Sequence, residues 1–401
     1  MKFIVFSDLH AHSFDKYSKK TKDGRNTRLD VILQCLKNIR DLSIETGIRD
    51  ILFAGDLFDA KNRVPMIVLN EVYREFSEWE KLGLNVLMIP GNHDFAIRTG
   101  EEHGLTVLSQ LNRFMIVDKV SKFRWTLDTG ESVRVIAIPY RERIDADWFV
   151  FDEEPEVPTI LLGHGLVEGA CYIPSGMALG QSEPVIDHEG ISTRDLIMLD
   201  WLNKVDIAVI GHIHYPQKLG LNKHVLIPGM PWIQYPHERN QKRGIWIAQL
   251  DKRKGVSFEQ HCYGNIPSFI KVQLKEDGGF SMIESPVNEL DLLSGQMVLL
   301  QPESIDVNPQ RIIDASNYLY NDCGVVFVDV VKCEQASSLL NAPRIDVSSM
   351  QDSKKVLEKV LKSGLLETGS EDIDELIKLG SSILNEVIEN KNMGNKNVLR
   401  E

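Results

Sequence analysis

Five short apolar runs, each closing on the same kind of polar residue, constrain this 401-residue chain more than any other feature. Phe3–Phe6 runs into Ser7-Asp8-Leu9-His10, and Ile51–Ala54 into Gly55-Asp56-Leu57-Phe58-Asp59. Val86–Ile89 leads to Pro90-Gly91-Asn92-His93-Asp94, Ile160–Leu162 to Gly163-His164-Gly165, and Ile207–Ile210 to Gly211-His212-Ile213-His214. Runs of this length, aliphatic or β-branched and bounded by polar turns, read as buried strands. Between them apolar residues recur at helical spacing, as in Val31, Ile32, Cys35, Leu36, Ile39 and Leu42, or Leu69, Val72, Phe76 and Trp79. Strand–helix alternation predicts a layered α/β fold. In such folds ligands bind beyond the carboxyl ends of the strands, so the polar residues should converge.

The donors are Asp8, His10, Asp56, Asn92, His164, His212 and His214: two aspartates, one asparagine and four histidines. That set suffices for two metal ions sharing a carboxylate, and Asp56, after a glycine at a strand end, is the bridging candidate. Mixed imidazole and carboxylate donors suit manganese, iron or zinc better than calcium or magnesium alone. Two ions about 3.5–4 Å apart can stabilise the attacking and leaving oxygens at a phosphoryl centre. A single histidine beside an apolar strand is usually structural, and a single Gly-Asp is usually a turn. Repetition at one topological position argues otherwise. His103, His188, His224, His237 and His261 have no ligand-like neighbours in sequence, and His12 either lines the entrance or lies on the surface. Asp59 reads as a cap or a support for a ligand.

Composition narrows the class further. Hydrophobic residues are 43% of the chain and charged residues 26%, an ordinary globular balance that excludes wholesale disorder. The net charge, 45 − 58 = −13, is not that of a small nucleic-acid-binding module. Any polyanion contact must come from local patches or from metal ions. Two runs qualify: residues 16–28 hold six basic residues and one acid, and residues 239–254 hold the same, each net +5 and each beside the candidate ligands. The five cysteines are scattered with no Cys-x-x-Cys pair, which fits a reducing cytoplasm. The apolar start is too short for a signal peptide and no run reaches membrane-spanning length, so a soluble cytoplasmic protein without membrane contact is expected.

Three regions follow from texture. Residues 1–265 carry the strand-end pattern. Residues 266–345 read as a small α+β unit with strands at Ile270–Leu274 and Val325–Val331 around a helix near Pro309–Tyr320. Residues 346–401 are helical in pattern, with apolar positions three and four apart.

Asp8-x-His10, Gly55-Asp56, Gly91-Asn92-His93-Asp94, His164 and Gly211-His212-x-His214 together resemble the five-block signature of the calcineurin-like metallophosphoesterases. The resemblance implies an α/β/β/α fold, a two-sheet β-sandwich flanked by helices. It implies one ion held by Asp8, His10, Asp56 and His214, and a second by Asp56, Asn92, His164 and His212. His93 would contact the scissile phosphate and assist the leaving group, with Asp94 orienting its ring. The wording Gly55-Asp56-Leu57-Phe58-Asp59, with Pro228-Gly229-Met230-Pro231 following the last block, is similar to the DNA-repair exonuclease branch of the SbcD type. That branch implies a metal-dependent DNA nuclease using two divalent ions, manganese foremost. It also implies a DNA-contacting capping domain over 266–345 and a tail over 346–401 that docks onto an SMC-like ABC-type ATPase of the SbcC type. A homodimer is expected from the same branch. A small phosphoester substrate, or a role as a DNA-end scaffold, are the alternatives.

Overall fold

A computed structural model of the chain describes residues 1–21, 24–59, 63–95, 102–149, 157–172, 196–220, 224–251, 255–282, 293–304 and 307–331. The helical reading of 346–401, the end of the 266–345 unit and His188 lie outside the described residues.

The first apolar run becomes strand β1 (Lys2–Phe6), the centre of a six-stranded sheet. It pairs in parallel with β2 (Asp50–Phe53), which pairs with β3 (Asn85–Met88) and through it with β4 (Phe114–Ile116). On its other edge β1 pairs antiparallel with β11 (Ile245–Asp251), itself paired with β12 (Gly255–His261). A second six-stranded sheet runs in the order β5-β6-β7-β8-β10-β9, from β5 (Ser121–Thr126), β6 (Ser132–Ile138), β7 (Thr159–His164), β8 (Ile207–Gly211), β9 (Gln217–Leu219) and β10 (Val225–Ile227).

Alternation along the strands decides which layer each side chain enters. Phe3 and Val5 of β1, Leu52 of β2 and Leu87 of β3 point toward the second sheet, where they meet Val133, Val135, Ile160, Leu162, Ile207 and Val209. Ile4, Phe6, Ile51, Phe53 and Val86 point the other way, onto α1 (Thr27–Thr46) and α2 (Met66–Lys81). The far face of the second sheet is covered by Phe149, Leu166, Ile197, Leu202 and their neighbours, including the short helix α3 (Leu199–Leu202). The result is the α/β/β/α sandwich. α1 begins where the Asn26 side chain accepts the Leu29 N–H, and stops at Gly47, whose φ of 72° lets its N–H turn back to the Ser43 carbonyl.

A third sheet, in the order β14-β13-β15-β16, is built from β13 (Phe269–Leu274), β14 (Phe280–Met282), β15 (Met297–Pro302) and β16 (Phe327–Val330). Helix α4 (Pro309–Asn321) crosses from β15 to its parallel neighbour β16 and covers one face through Ala315 and Leu319. This unit rests on the sandwich through Tyr17, Ile233, Phe269, Met297 and Phe327. Arg28 lies across the junction. It is 2% exposed, its guanidinium donates to the carbonyls of Ile233 (3.2 Å) and Gln234 (2.7 Å) and approaches Met297 Sδ, and it stacks over Trp232.

That burial corrects the reading of the two basic runs as surface patches. Arg28 is internal, Arg25 pairs with Asp30 and Glu71, and Arg243 is buried against Glu238. Of the described basic residues in these runs, Lys16, Lys19, Lys20 and Lys242 remain exposed. The linear count could not detect acceptors brought in by tertiary contact from distant positions. Among the described residues no helix is long and apolar enough to cross a membrane.

Replacing Arg28 by leucine leaves two buried carbonyls without donors. Urea unfolding of Arg28→Leu is expected to show a loss of about 1–3 kcal/mol, and an unchanged midpoint would contradict this account of the junction.

Candidate metal centre

Asp8, Asp56 and Asn92 arrive from the ends of β1, β2 and β3 in one sheet, and His164, His212 and His214 from β7 and β8 in the other. Each chain must turn sharply as its strand ends. Asp8, His10, Asp56 and His212 do so with positive φ (52°, 47°, 59° and 103°), a region that only a few per cent of non-glycine residues occupy. Such backbone strain gathers at functional sites. Packing in the turns is correspondingly tight. A Cβ on Gly91 would overlap the Asp56 carboxylate, and one on Gly211 would overlap the Ala54 carbonyl, so both positions exclude any side chain.

The convergence is close. Asp56 Oδ2 lies 3.5 Å from His10 Nε2 and 3.4 Å from His164 Nε2, while Asp56 Oδ1 accepts the His93 N–H at 2.8 Å. Asn92 Oδ1 sits 2.9 Å from both His164 Nε2 and His212 Nδ1. His10 Nε2 and His214 Nε2 are 3.0 Å apart, and Asp8 Oδ1 accepts the His212 N–H at 2.9 Å. Asp8, His10 and His214 therefore form one group of donors, and Asp56, His164 and His212 another. Asp8, His10, Asp56 and His164 are all but fully buried.

Outer contacts fix which ring nitrogens face inward. His164 Nδ1 gives its proton to the Ala54 carbonyl at 2.7 Å, and His10 Nδ1 gives its proton to Asp59 Oδ1 at 3.0 Å. The remaining nitrogens carry lone pairs that point at a carboxylate oxygen, an amide oxygen and another imidazole. With neutral rings, such a cluster of acceptors facing acceptors in a buried place is balanced by a cation, and carboxylate, carboxamide and imidazole are the donors that borderline divalent ions take. The residues fit a divalent metal site.

Protons partly compensate when no cation is bound. Burial would depress the His164 ring, but the Asp56 and Asp8 carboxylates outweigh it and carry it up to about 9. Burial would raise Asp56, yet His164 and His10 hold it well below the usual carboxylate range. His214 is held well below the ordinary histidine value by burial and by neighbouring His10 and Arg243.

His93 stands beside this cluster with 22% of its side chain exposed. Its Nδ1 lies 3.2 Å from the Asp59 carbonyl and 3.5 Å from the Asp59 carboxylate. The expected partner, Asp94, is elsewhere. Its carboxylate is buried and accepts the backbone N–H groups of Leu57, Phe58 and Gly91, so it pins the turns carrying Asp56 and Asn92 rather than the His93 ring. Burial and the nearby Asp56 charge push Asp94 up to about 6 despite these three donors. The orienting role falls to Asp59, which touches both His10 and His93.

A cleft of about 560 Å³ opens over the cluster. Besides the residues already named it is lined by Tyr172, Gln234, Tyr235, His237 and Glu238. No spacing marks these positions in sequence, although Pro228-Gly229-Met230-Pro231 points to their neighbourhood. Beneath them the buried Arg243 guanidinium donates to the His214 carbonyl and pairs with Glu238 at 3.0 Å. Of the other histidines, His224 Nε2 donates to the Leu202 carbonyl at 3.0 Å, and His103 lies 3.5 Å from Asp118. His12 packs on Phe14.

Removing the carboxylate that orients His10 should loosen the centre without unfolding it. For Asp59→Ala, titration calorimetry with Mn²⁺ is expected to show affinity weakened about 10–100-fold; wild-type affinity would remove Asp59 from this role.

No curated protein matches the chain in sequence. Among solved structures it aligns with a dimetal phosphatase from Danio rerio at 11% identity and a TM-score of 0.38, covering 65% of this chain and 98% of that one. It aligns with the protein TT1561 of Thermus thermophilus at 13% identity and a TM-score of 0.36, with 65% and 98% covered. The nuclease MPE of Pseudomonas putida aligns at 18% identity and a TM-score of 0.22, with 47% of this chain and 72% of that chain covered. A family model matches residues 1–216, more than half the chain, and these residues deliver every donor described above. The chain thus belongs to the calcineurin-like phosphoesterase family, whose members are metal-dependent hydrolases of phosphoesters.

Proposed function

We propose that this protein is a two-metal phosphodiesterase acting on DNA, the nuclease subunit of a repair or recombination complex with an SMC-like ABC-type ATPase. The hydrolytic part of this reading is carried by one observation: buried lone pairs from two sheets converge on Asp56 with the partly exposed His93 beside them. Divalent ions in that set would polarise a phosphoryl group and lower the pKa of bound water. The protein's own residues supply the rest. Asp59 orients His10, the Ala54 carbonyl orients His164, and Asp94 holds the two turns in register. His93, its Nδ1–H directed at Asp59, serves the departing oxygen through Nε2, the role of a general acid within reach of the leaving group.

DNA as substrate is supported by the Gly55-Asp56-Leu57-Phe58-Asp59 wording and by the additional sheet unit seated against the loop that borders the cleft. One observation favours the alternative of a small phosphoester: Arg28 and Arg243, two of the basic residues nearest the site, are internal and unavailable to a backbone of phosphates.

End-labelled linear DNA incubated with Mn²⁺ should lose nucleotides, and chelation or Asp56→Asn should stop the loss. His93→Ala is expected to keep its metal while turnover falls about a hundredfold to ten-thousandfold. DNA left intact while an aryl phosphodiester is turned over would move the substrate to a small molecule. The partner is tested separately: deleting residues 346–401 should abolish co-purification with the ATPase and leave DNA cleavage by the remaining chain, and retained co-purification would refute docking through that segment.

A further inference from the structure

The rim of the cleft carries chemistry that phosphoester hydrolysis alone does not need. Tyr235 and His237 lie nearly parallel, 9° between ring planes with centroids 5.7 Å apart. Tyr235 is 41% exposed. Next to them Gln234 is only 6% exposed. Its backbone is committed, the N–H to Glu238 and the carbonyl to Arg28, while its carboxamide lines the cleft with no hydrogen-bond partner among the described residues.

The backbone of this rim is anchored by buried groups. Glu238 Oε2 accepts the N–H groups of Gln234 (2.9 Å) and Tyr235 (3.0 Å), and its other oxygen meets Arg243 at 3.0 Å. Trp232 Nε1 donates to the Leu9 carbonyl at 2.8 Å, tying the start of the loop to the turn between Asp8 and His10. The backbone that carries the two aromatic rings and the carboxamide is therefore anchored before any ligand arrives, beside the metal donors that line the same cleft.

We propose that Gln234, Tyr235 and His237 form a subsite for the nucleobase of an unpaired nucleotide whose phosphate lies at the donor cluster. The ring pair offers a flat π-face, and stacking on such a face is tolerant of sequence and strong enough to order a base. The carboxamide offers one donor and one acceptor to the base edge, the pairing by which amide side chains read bases. A phosphoserine or phosphothreonine side chain has no flat ring to place on that face, and a phosphotyrosine ring has no polar edge for the carboxamide. A base inside a duplex cannot reach the ring faces without leaving its stack, so the subsite selects single-stranded or frayed ends. The inference deepens the DNA reading above and rests on it for the polymer, but not for the base.

The test uses the full chain loaded with Mn²⁺ and two probes, deoxyadenosine monophosphate and deoxyribose phosphate, which differ only in the base. Each is measured as an inhibitor of aryl phosphodiester hydrolysis and, independently, by calorimetry. The nucleotide is expected to bind about 10–100-fold more tightly than the sugar phosphate. In Tyr235→Ala/His237→Ala that ratio should collapse toward one, whereas Tyr235→Phe should retain it. Equal binding of the two probes by the wild-type protein, or a ratio that survives in the double variant, would overturn the subsite. A single-stranded oligonucleotide with or without its terminal base separates the two readings. Base-dependent binding with DNA left intact keeps the subsite and removes DNA as the substrate. DNA cut equally with and without the base removes the subsite and keeps the nuclease.

Discussion

The Asp56 carboxylate lies between histidines delivered by different sheets, and the rest of the site is arranged around it. One oxygen faces His10 Nε2 and His164 Nε2, and the other accepts the His93 N–H. Removing a charged group from water is costly unless partners surround it. Each partner of Asp56 is in turn committed: His10 to Asp59, His164 to the Ala54 carbonyl, the turn after Asp56 to Asp94. The sandwich thereby has its two sheets joined twice, by an apolar layer through the middle and by a polar cluster at one end. The apolar layer tolerates small displacements. The polar cluster does not, because its donors must meet at one place.

The order of elements was largely legible. The strand runs, the periodicity of α1 and α2, and the helix read near Pro309–Tyr320, which the structure places at Pro309–Asn321, all come from local patterns. So does the set of polar strand ends, because a buried strand needs an apolar run and the residue just beyond it is the first that can be polar. The division into two sheets was not visible in periodicity, and it came from the resemblance. Three-residue strands such as β9 and β10 are too short to show a period, and pairing rather than composition makes them strands.

The side-chain roles that reading along the chain misassigned share a cause. Arg28 and Arg243 look like surface charge when counted with their neighbours, yet their acceptors are brought in by the folding of the chain around them. Asp94 stands next to His93 in sequence but, within the turn, the two side chains leave in opposite directions, one into the protein and one into the cleft. Asp59, just beyond Asp56, is the residue that reaches the ring. His237 has no neighbours in sequence to distinguish it, and only the folding of its loop over the donors places it at the cleft.

Four of the donor-bearing residues hold left-handed backbone conformations, each costing of the order of 1–3 kcal/mol relative to a relaxed turn. Glycine would relieve that cost at once, since it lacks the Cβ responsible for it. Asp8, His10, Asp56 and His212 are thus kept against the preference of their own backbone. In a descendant of this chain released from catalysis, selection for stability alone would act first at these four positions. Glycine or asparagine appearing there together would be a readable scar of lost chemistry, even where the fold and every apolar strand had been retained.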